Sequence, residues 1–119
     1  RRFYVDVLGF EVAYERPDEG FVFLNYGDAQ LMIYQANVSR NLIPPGTTLT
    51  PPLGLGINMQ IIVPDIAPLV QRLEAAWIDL ALPVESRRYD VDGQTLAVRQ
   101  MAICDPDGYY LRFSEQTPA

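Results

Sequence analysis

Apolar positions open the chain at helical spacing. Phe3, Val7 and Leu8 share one side of residues 1–8, and Gly9 follows as a natural helix stop. The period then drops to two. Residues 10–16, 21–26 and 29–35 alternate as strands, separated by Pro17-Asp18-Glu19-Gly20 and by the tight turn Gly27-Asp28. Residues 37–56 break this pattern with Pro44, Pro45, Pro51 and Pro52 beside Gly46, Gly54 and Gly56, which predicts an irregular linker placed to cover a pocket mouth. Residues 57–63 return to strand. Asp65 offers an N-cap and Pro68 is tolerated in a first helical turn, so Ile66, Leu69, Val70, Leu73 and Trp77 predict the buried stripe of a helix. Residues 79–89 are mostly extended, Asp92-Gly93 makes a hairpin turn, and strands follow at 95–104 and 109–115.

The predicted order is helix-strand-strand-strand, a linker, then strand-helix-strand-strand-strand. Residues 57–119 form a complete βαβββ module. Residues 1–36 form the same module without its opening strand, so the chain is α+β with an internal structural repeat. Arg1 enters in mid-helix, and the opening strand is expected upstream; without it a sheet edge stays unpaired.

Size and composition set the outer bounds. The 119 residues suit one domain or two small modules, and 49% hydrophobic with 20% charged residues describe a globular protein. No apolar run is long enough to span a bilayer, and no signal peptide is visible, so no membrane partner is expected. Net charge is −6 and all nine basic residues are Arg, which argues against a nucleic-acid partner and favours solubility and cationic ligands. Cys104 has no second cysteine to pair with; this fits a cytoplasmic location, and the residue reads as a small buried hydrophobe. The chain has no His, which excludes a Ser-His-Asp triad and any His-based zinc or iron site within it.

The most informative stretch is Asp105-Pro106-Asp107-Gly108. Pro suits the second position of a tight turn, Asp bonds its own backbone, and Gly takes the positive φ that closes it. The run that follows puts Tyr110 and Arg112 on one strand face and Leu111 and Phe113 on the other. Elsewhere Asp18-Glu19 is a solvated turn tip, Gly54-Leu55-Gly56 lacks the Lys and Ser/Thr of a phosphate loop, and no carboxylate pair stands out as an acid/base couple.

Together with Phe3-Tyr4 before Leu8-Gly9-Phe10, Gly27-Asp28 before Gln30-Leu31-Met32, and Gly56 before the strand at 57–63, that turn resembles the vicinal oxygen chelate superfamily of glyoxalases, extradiol dioxygenases and bleomycin-resistance proteins. The resemblance implies two βαβββ modules whose curved mixed sheets enclose a cavity. Carried over residue by residue, the metal-ligand positions fall on Asn58, Met32 and Arg112, with a fourth on the strand that is not in the chain. Asn is a weak donor, Met suits soft metals and a guanidinium repels cations, so no metal and no other cofactor is expected. By strand alternation the same resemblance faces Phe23, Asn25, Met32, Tyr34, Asn58, Gln60, Gln100, Ala102, Tyr110 and Arg112 to the cavity. Leu31, Ile33, Met59, Ile61, Leu111 and Phe113 face the helices. Rings for area and amides for orientation suit a ligand pocket. Arg112 is expected to pair with Glu115 or Asp105, or else with an anionic group on a ligand.

The reading is a metal-independent small-molecule binding protein nearest the bleomycin-resistance group, sequestering a bleomycin-like antibiotic without catalytic residues, as a homodimer. The alternatives are a metal-dependent lyase, isomerase or dioxygenase of the same superfamily, and an orphan metabolite-binding domain. A metal-free enzyme would draw its acid or base from Tyr34, Tyr110 or Glu85, with nothing in the sequence favouring one of them.

Overall fold

A computed structural model of the chain describes residues 1–35, 44 and 46–118. It divides into two compact units, Arg1–Thr50 and Pro51–Ala119. Pro51 to Gly56, predicted as linker, thus fall in the second unit, while residues 36–43 and 45 of the same region lie outside the described residues. Both units mix helix with sheet, as the α+β reading requires. Among the described residues no helix is long and apolar enough to cross a membrane.

The first unit starts with a π-helical segment, Phe3–Leu8, closed by Gly9 in the left-handed region at φ 88°. The Gly9 and Phe10 amides both donate to the Tyr4 carbonyl, which turns the chain into the sheet. Strands β1 (Glu11–Arg16), β2 (Phe21–Tyr26) and β3 (Ala29–Tyr34) form an antiparallel meander. A bulge in β1 between Val12 and Tyr14 shifts the alternation, so that Tyr14 lies opposite Phe23 and Arg16 opposite Phe21. The two rings of the first pair stack at 5.2 Å and 15°, and the Arg16 guanidinium sits 4.2 Å from the Phe21 ring centre. Arg16 also binds Glu19, and that hydrogen bond is the main reason its pKa lies above the ordinary value. Leu8, Phe10, Phe21, Val22 and Leu24 are buried.

The second unit is a full βαβββ module: β4 (Met59–Ile62), helix α1 (Ala67–Ala75), β5 (Leu82–Val91), β6 (Gln94–Cys104) and β7 (Tyr110–Pro118). Its sheet runs β4-β7-β6-β5, with β4 parallel to β7 and the remaining pairs antiparallel. Among the described residues of the first unit β3, the last strand, is an edge where β7 of the second has the parallel neighbour β4. The Asp105–Gly108 turn forms as its sequence predicts. Gly108 N–H donates to the Asp105 carbonyl, and Asp105 Oδ1 accepts from the amides of Asp107 (3.0 Å) and Tyr109 (2.9 Å). Asp92-Gly93 closes the β5–β6 hairpin with both residues at positive φ, 49° and 79°.

Helix α1 is tied to one face of this sheet at its start. Asp65 Oδ1 accepts the Ala67 amide, and Glu115 Oε1 on β7 accepts the Ile66 amide at 3.2 Å. Two of the donors that a helix start leaves free are thereby satisfied, one of them by a distant strand. Ile66, Leu69 and Leu73 are fully buried and Val70 is half-buried, as the helical spacing predicts.

Trp77 departs from that prediction. The helix ends at Ala75, and Trp77 stands at φ 58° with 94% of its surface exposed. Its amide bonds the Glu74 carbonyl, and the Ile78 amide bonds that of Leu73. This is the Schellman arrangement, in which the residue just past the helix cap turns left-handed. Spacing put Trp77 on the buried stripe because no Gly marks the stop, and the left-handed turn swings the indole outward.

Two outcomes follow from backbone geometry. Trp77→Gly is expected to raise stability by about 1 kcal/mol in urea unfolding followed by circular dichroism, because Gly takes the left-handed region freely; a lower midpoint would mean that the indole contributes packing. At Gly108 (φ 96°) an added Cβ would lie 2.6 Å from the Pro52 Cα, whereas at Gly93 (φ 79°) it would meet nothing within 4 Å. Gly108→Ala should therefore cost about 3 kcal/mol and Gly93→Ala about 1 kcal/mol in the same assay.

Candidate functional site

Alternation gives the second sheet two chemically different faces. Met101, Ile103, Leu111, Phe113 and Ile61 are buried on the face that α1 covers, the side from which Glu115 reaches the helix. On the opposite face the strand register lays out a grid. Along β7 come Tyr110, Arg112 and Ser114, and across on β6 stand Cys104, Ala102 and Gln100 in that order. Gln60 on β4 faces Arg112 from the other side, and Glu85 on β5 faces Gln100. Arg112 therefore stands between an amide and a methyl group.

This face is polar where it is most enclosed. Gln100 is 2% exposed, and its Nε2 donates to Glu85 Oε1 at 2.8 Å and to the Tyr89 hydroxyl at 3.2 Å. Glu85 is held from its other oxygen by Arg87 at 3.7 Å. Ser114 is fully buried with no hydrogen-bond partner for its hydroxyl, and the Nε of Arg112 is likewise buried and without one. Among the described residues Arg112 makes no ion pair. The two carboxylates expected to neutralise it are engaged elsewhere. Glu115 binds the Ile66 amide and lies 3.6 Å from Arg99 on the helix side of the sheet, and Asp105 Oδ1 is committed to its turn. The parity of 112 and 115 already places those two side chains on opposite faces.

Arg112 opens onto a groove of about 620 Å³. Its walls are Pro52, Leu55, Ile57 and Asn58 from the segment before β4, and Tyr110, Cys104 and Gly108 from the β6–β7 hairpin. The segment is anchored by the Leu53 amide on the Asp107 carbonyl at 2.7 Å, and by Gly54, where a Cβ would come 2.5 Å from the Tyr109 ring. Cys104, read from sequence as buried, is exposed, because it ends β6 at the rim where the turn begins. A second depression of about 510 Å³ holds Arg87, Arg88 and Arg99, two of which sit by Glu85 and Glu115.

The ten residues singled out by sequence divide between the units. Asn58, Gln60, Gln100, Ala102, Tyr110 and Arg112 share the polar side of the second unit, with Asn58 and Gln60 exposed and Ala102 fully buried. Phe23, Asn25, Met32 and Tyr34 share one face of the first sheet, where Tyr34 packs on Phe21 at 4.7 Å, Met32 is 60% exposed, and Asn25 Oδ1 is buried without a partner. Sequence reasoning left Tyr89 and Ser114 out of the site. Ser114 carried a legible signal, since it has the parity of Arg112. Tyr89 did not, because β5 is irregular between Leu82 and Glu85 and its alternation has no fixed origin in sequence.

The donor set does not fit a first-row metal. The described residues contain no group of three His, Cys, Asp or Glu able to hold one. Of the positions carried over from the resemblance, Asn58 is a weak donor, Met32 a soft one, and Arg112 places a cation where the metal would sit.

No family model matches the chain, and no curated protein does either. Solved structures do. TioX from Micromonospora sp. ML1 is 20% identical with a TM-score of 0.64, covering 98% of this chain and 85% of that one. Lactoylglutathione lyase from Agrobacterium tumefaciens is 23% identical with a TM-score of 0.58, covering 96% and 81%. These share the fold. A glyoxalase/bleomycin resistance protein/dioxygenase superfamily member from Vibrio splendidus 12B01 is 40% identical, covering 98% of this chain and 86% of its own, with a TM-score of 0.48. Identity at that level over nearly the full length of both chains, with the module order and the hairpin turn described above, places this protein in the glyoxalase/bleomycin resistance protein/dioxygenase superfamily.

Proposed function

We propose that this protein is a small-molecule binding member of its superfamily that works without a bound metal, with the groove of the second unit as the binding site. One observation carries the reading. At the β7 position where the resemblance puts a metal ligand stands Arg112, which lines the groove and whose Nε is buried without a hydrogen-bond partner. A guanidinium there repels a cation, and Arg112, half-buried and without an ion pair among the described residues, leaves its charge to an anionic group supplied from outside. The rest of the lining, with apolar Pro52, Leu55 and Ile57, the Tyr110 ring and the Asn58 amide, suits binding by contact area and orientation.

Sequestration of a bleomycin-like antibiotic is the finer form of this reading. The net charge of −6 supports a cationic ligand and the local charge of Arg112 opposes one. The family resemblance also supports a homodimer, for which light scattering should give the mass of two chains; the mass of one chain in dilute solution would overturn it.

Metal independence has a direct test. Dialysed protein is expected to hold well under one equivalent of transition metal by plasma emission. Added zinc or manganese should leave the thermal midpoint in place, since only a ligand preferring the folded state raises it. Near-stoichiometric metal, or a midpoint several degrees higher with either ion, would overturn the proposal.

A further inference from the structure

The geometry points to a ligand class for this groove: a small monocarboxylate carrying an apolar body, its carboxylate held by Arg112. The inference rests on reading the groove as the ligand site, and it goes further by fixing the charge and shape of what enters.

Charge comes first. The protein carries a net charge of −6, yet the wall of this groove displays a guanidinium with no carboxylate paired to it among the described residues. The carboxylate on the same sheet face, Glu85, belongs to the row of Gln100 and Ser114 and is two strands from β7. It is already bound to Gln100 and Arg87. The neighbours of Arg112 across the sheet, Gln60 and Ala102, bring no charge, and Ala102 brings no bulk.

Shape follows from the group itself: a guanidinium presents its N–H bonds as a planar fork, which matches the two coplanar oxygens of a carboxylate. A phosphate dianion would need a second cation, and among the described residues the groove lining holds no cation besides Arg112. Beyond the fork the walls turn apolar. Leu55 and Ile57 are 78% and 52% exposed, and with Pro52 and the Tyr110 ring they present area to a ring or alkyl body. Apolar side chains left open beside a half-buried, unpaired cation fit an amphipathic anion; a bare inorganic ion would use none of that area.

The test titrates the full chain by calorimetry with three probes of one shape and different charge: naphthoate, naphthamide and naphthylmethylammonium. Wild type should bind naphthoate at least about 10-fold more tightly than the amide, the margin of a charge-assisted pair, with the ammonium weakest. Arg112→Gln should lose the preference for the acid over the amide. Circular dichroism establishes that the variant is folded; if it is not, Arg112→Lys keeps the charge without the fork and should weaken naphthoate several-fold more than it weakens the amide. Equal binding of acid and amide by wild type, or a preference that survives loss of the guanidinium, overturns the carboxylate inference and leaves the groove a small-molecule site. No heat from any of the three at about 1 mM overturns the groove as a ligand site as well.

Discussion

The second unit is organised by β7, the strand that pairs with β4 on one side and β6 on the other. Every side chain on β7 must go to one face or the other, and its partners follow by register. Leu111 and Phe113 turn to the helix, and Glu115 on that side receives the amide of Ile66, the residue just before α1. Tyr110, Arg112 and Ser114 are thereby committed to the other face, and Cys104, Ala102 and Gln100 with them. A slip of one residue would bury the guanidinium against the helix and expose Phe113. Asp105–Gly108 is what prevents that slip, because its hydrogen bonds and the left-handed Gly108 fix where β7 starts relative to β6.

Electrostatics on the polar face depend on which carboxylates are already engaged. Glu85 and Glu115 each satisfy two partners, and Asp105 holds two turn amides. A chain with fifteen acidic residues thus leaves one guanidinium of this face without an ion pair among the described residues. Charge totals set the long-range field, but the site is set by a few contacts within hydrogen-bonding distance, where desolvation makes each interaction stronger. The two point in opposite directions here, which separates this groove from the cation-binding expectation that composition alone suggests.

In the first unit the corresponding face is aromatic. Tyr14, Phe21, Phe23 and Tyr34 pack ring against ring, and Arg16 lies over Phe21. The bulge at Ala13 is responsible, since without the extra residue Tyr14 and Arg16 would point to the other side. Two modules of the same strand plan therefore carry different chemistry on the equivalent sheet surfaces, rings in one and amides with a cation in the other.

By itself the sequence determined the order of elements, the modular repeat, the hairpin turns and the two-sided character of β7, because these depend on local backbone preference and on a period of two that registers directly in the residues. The residues at the positions that the resemblance gives to metal ligands, Asn58, Met32 and Arg112, were also legible there, wherever they sit. Tertiary structure decided the rest. Trp77 left the core because helix termination is set by whether the last carbonyls find partners, which residue spacing does not report. Cys104 reached the surface because a strand ended there. The neighbours of Glu85 and Tyr89 depended on an irregular stretch of β5. Whether Arg112 found a carboxylate was a question of competition among acidic residues distant in sequence, and such competition is resolved only once every strand has its partner.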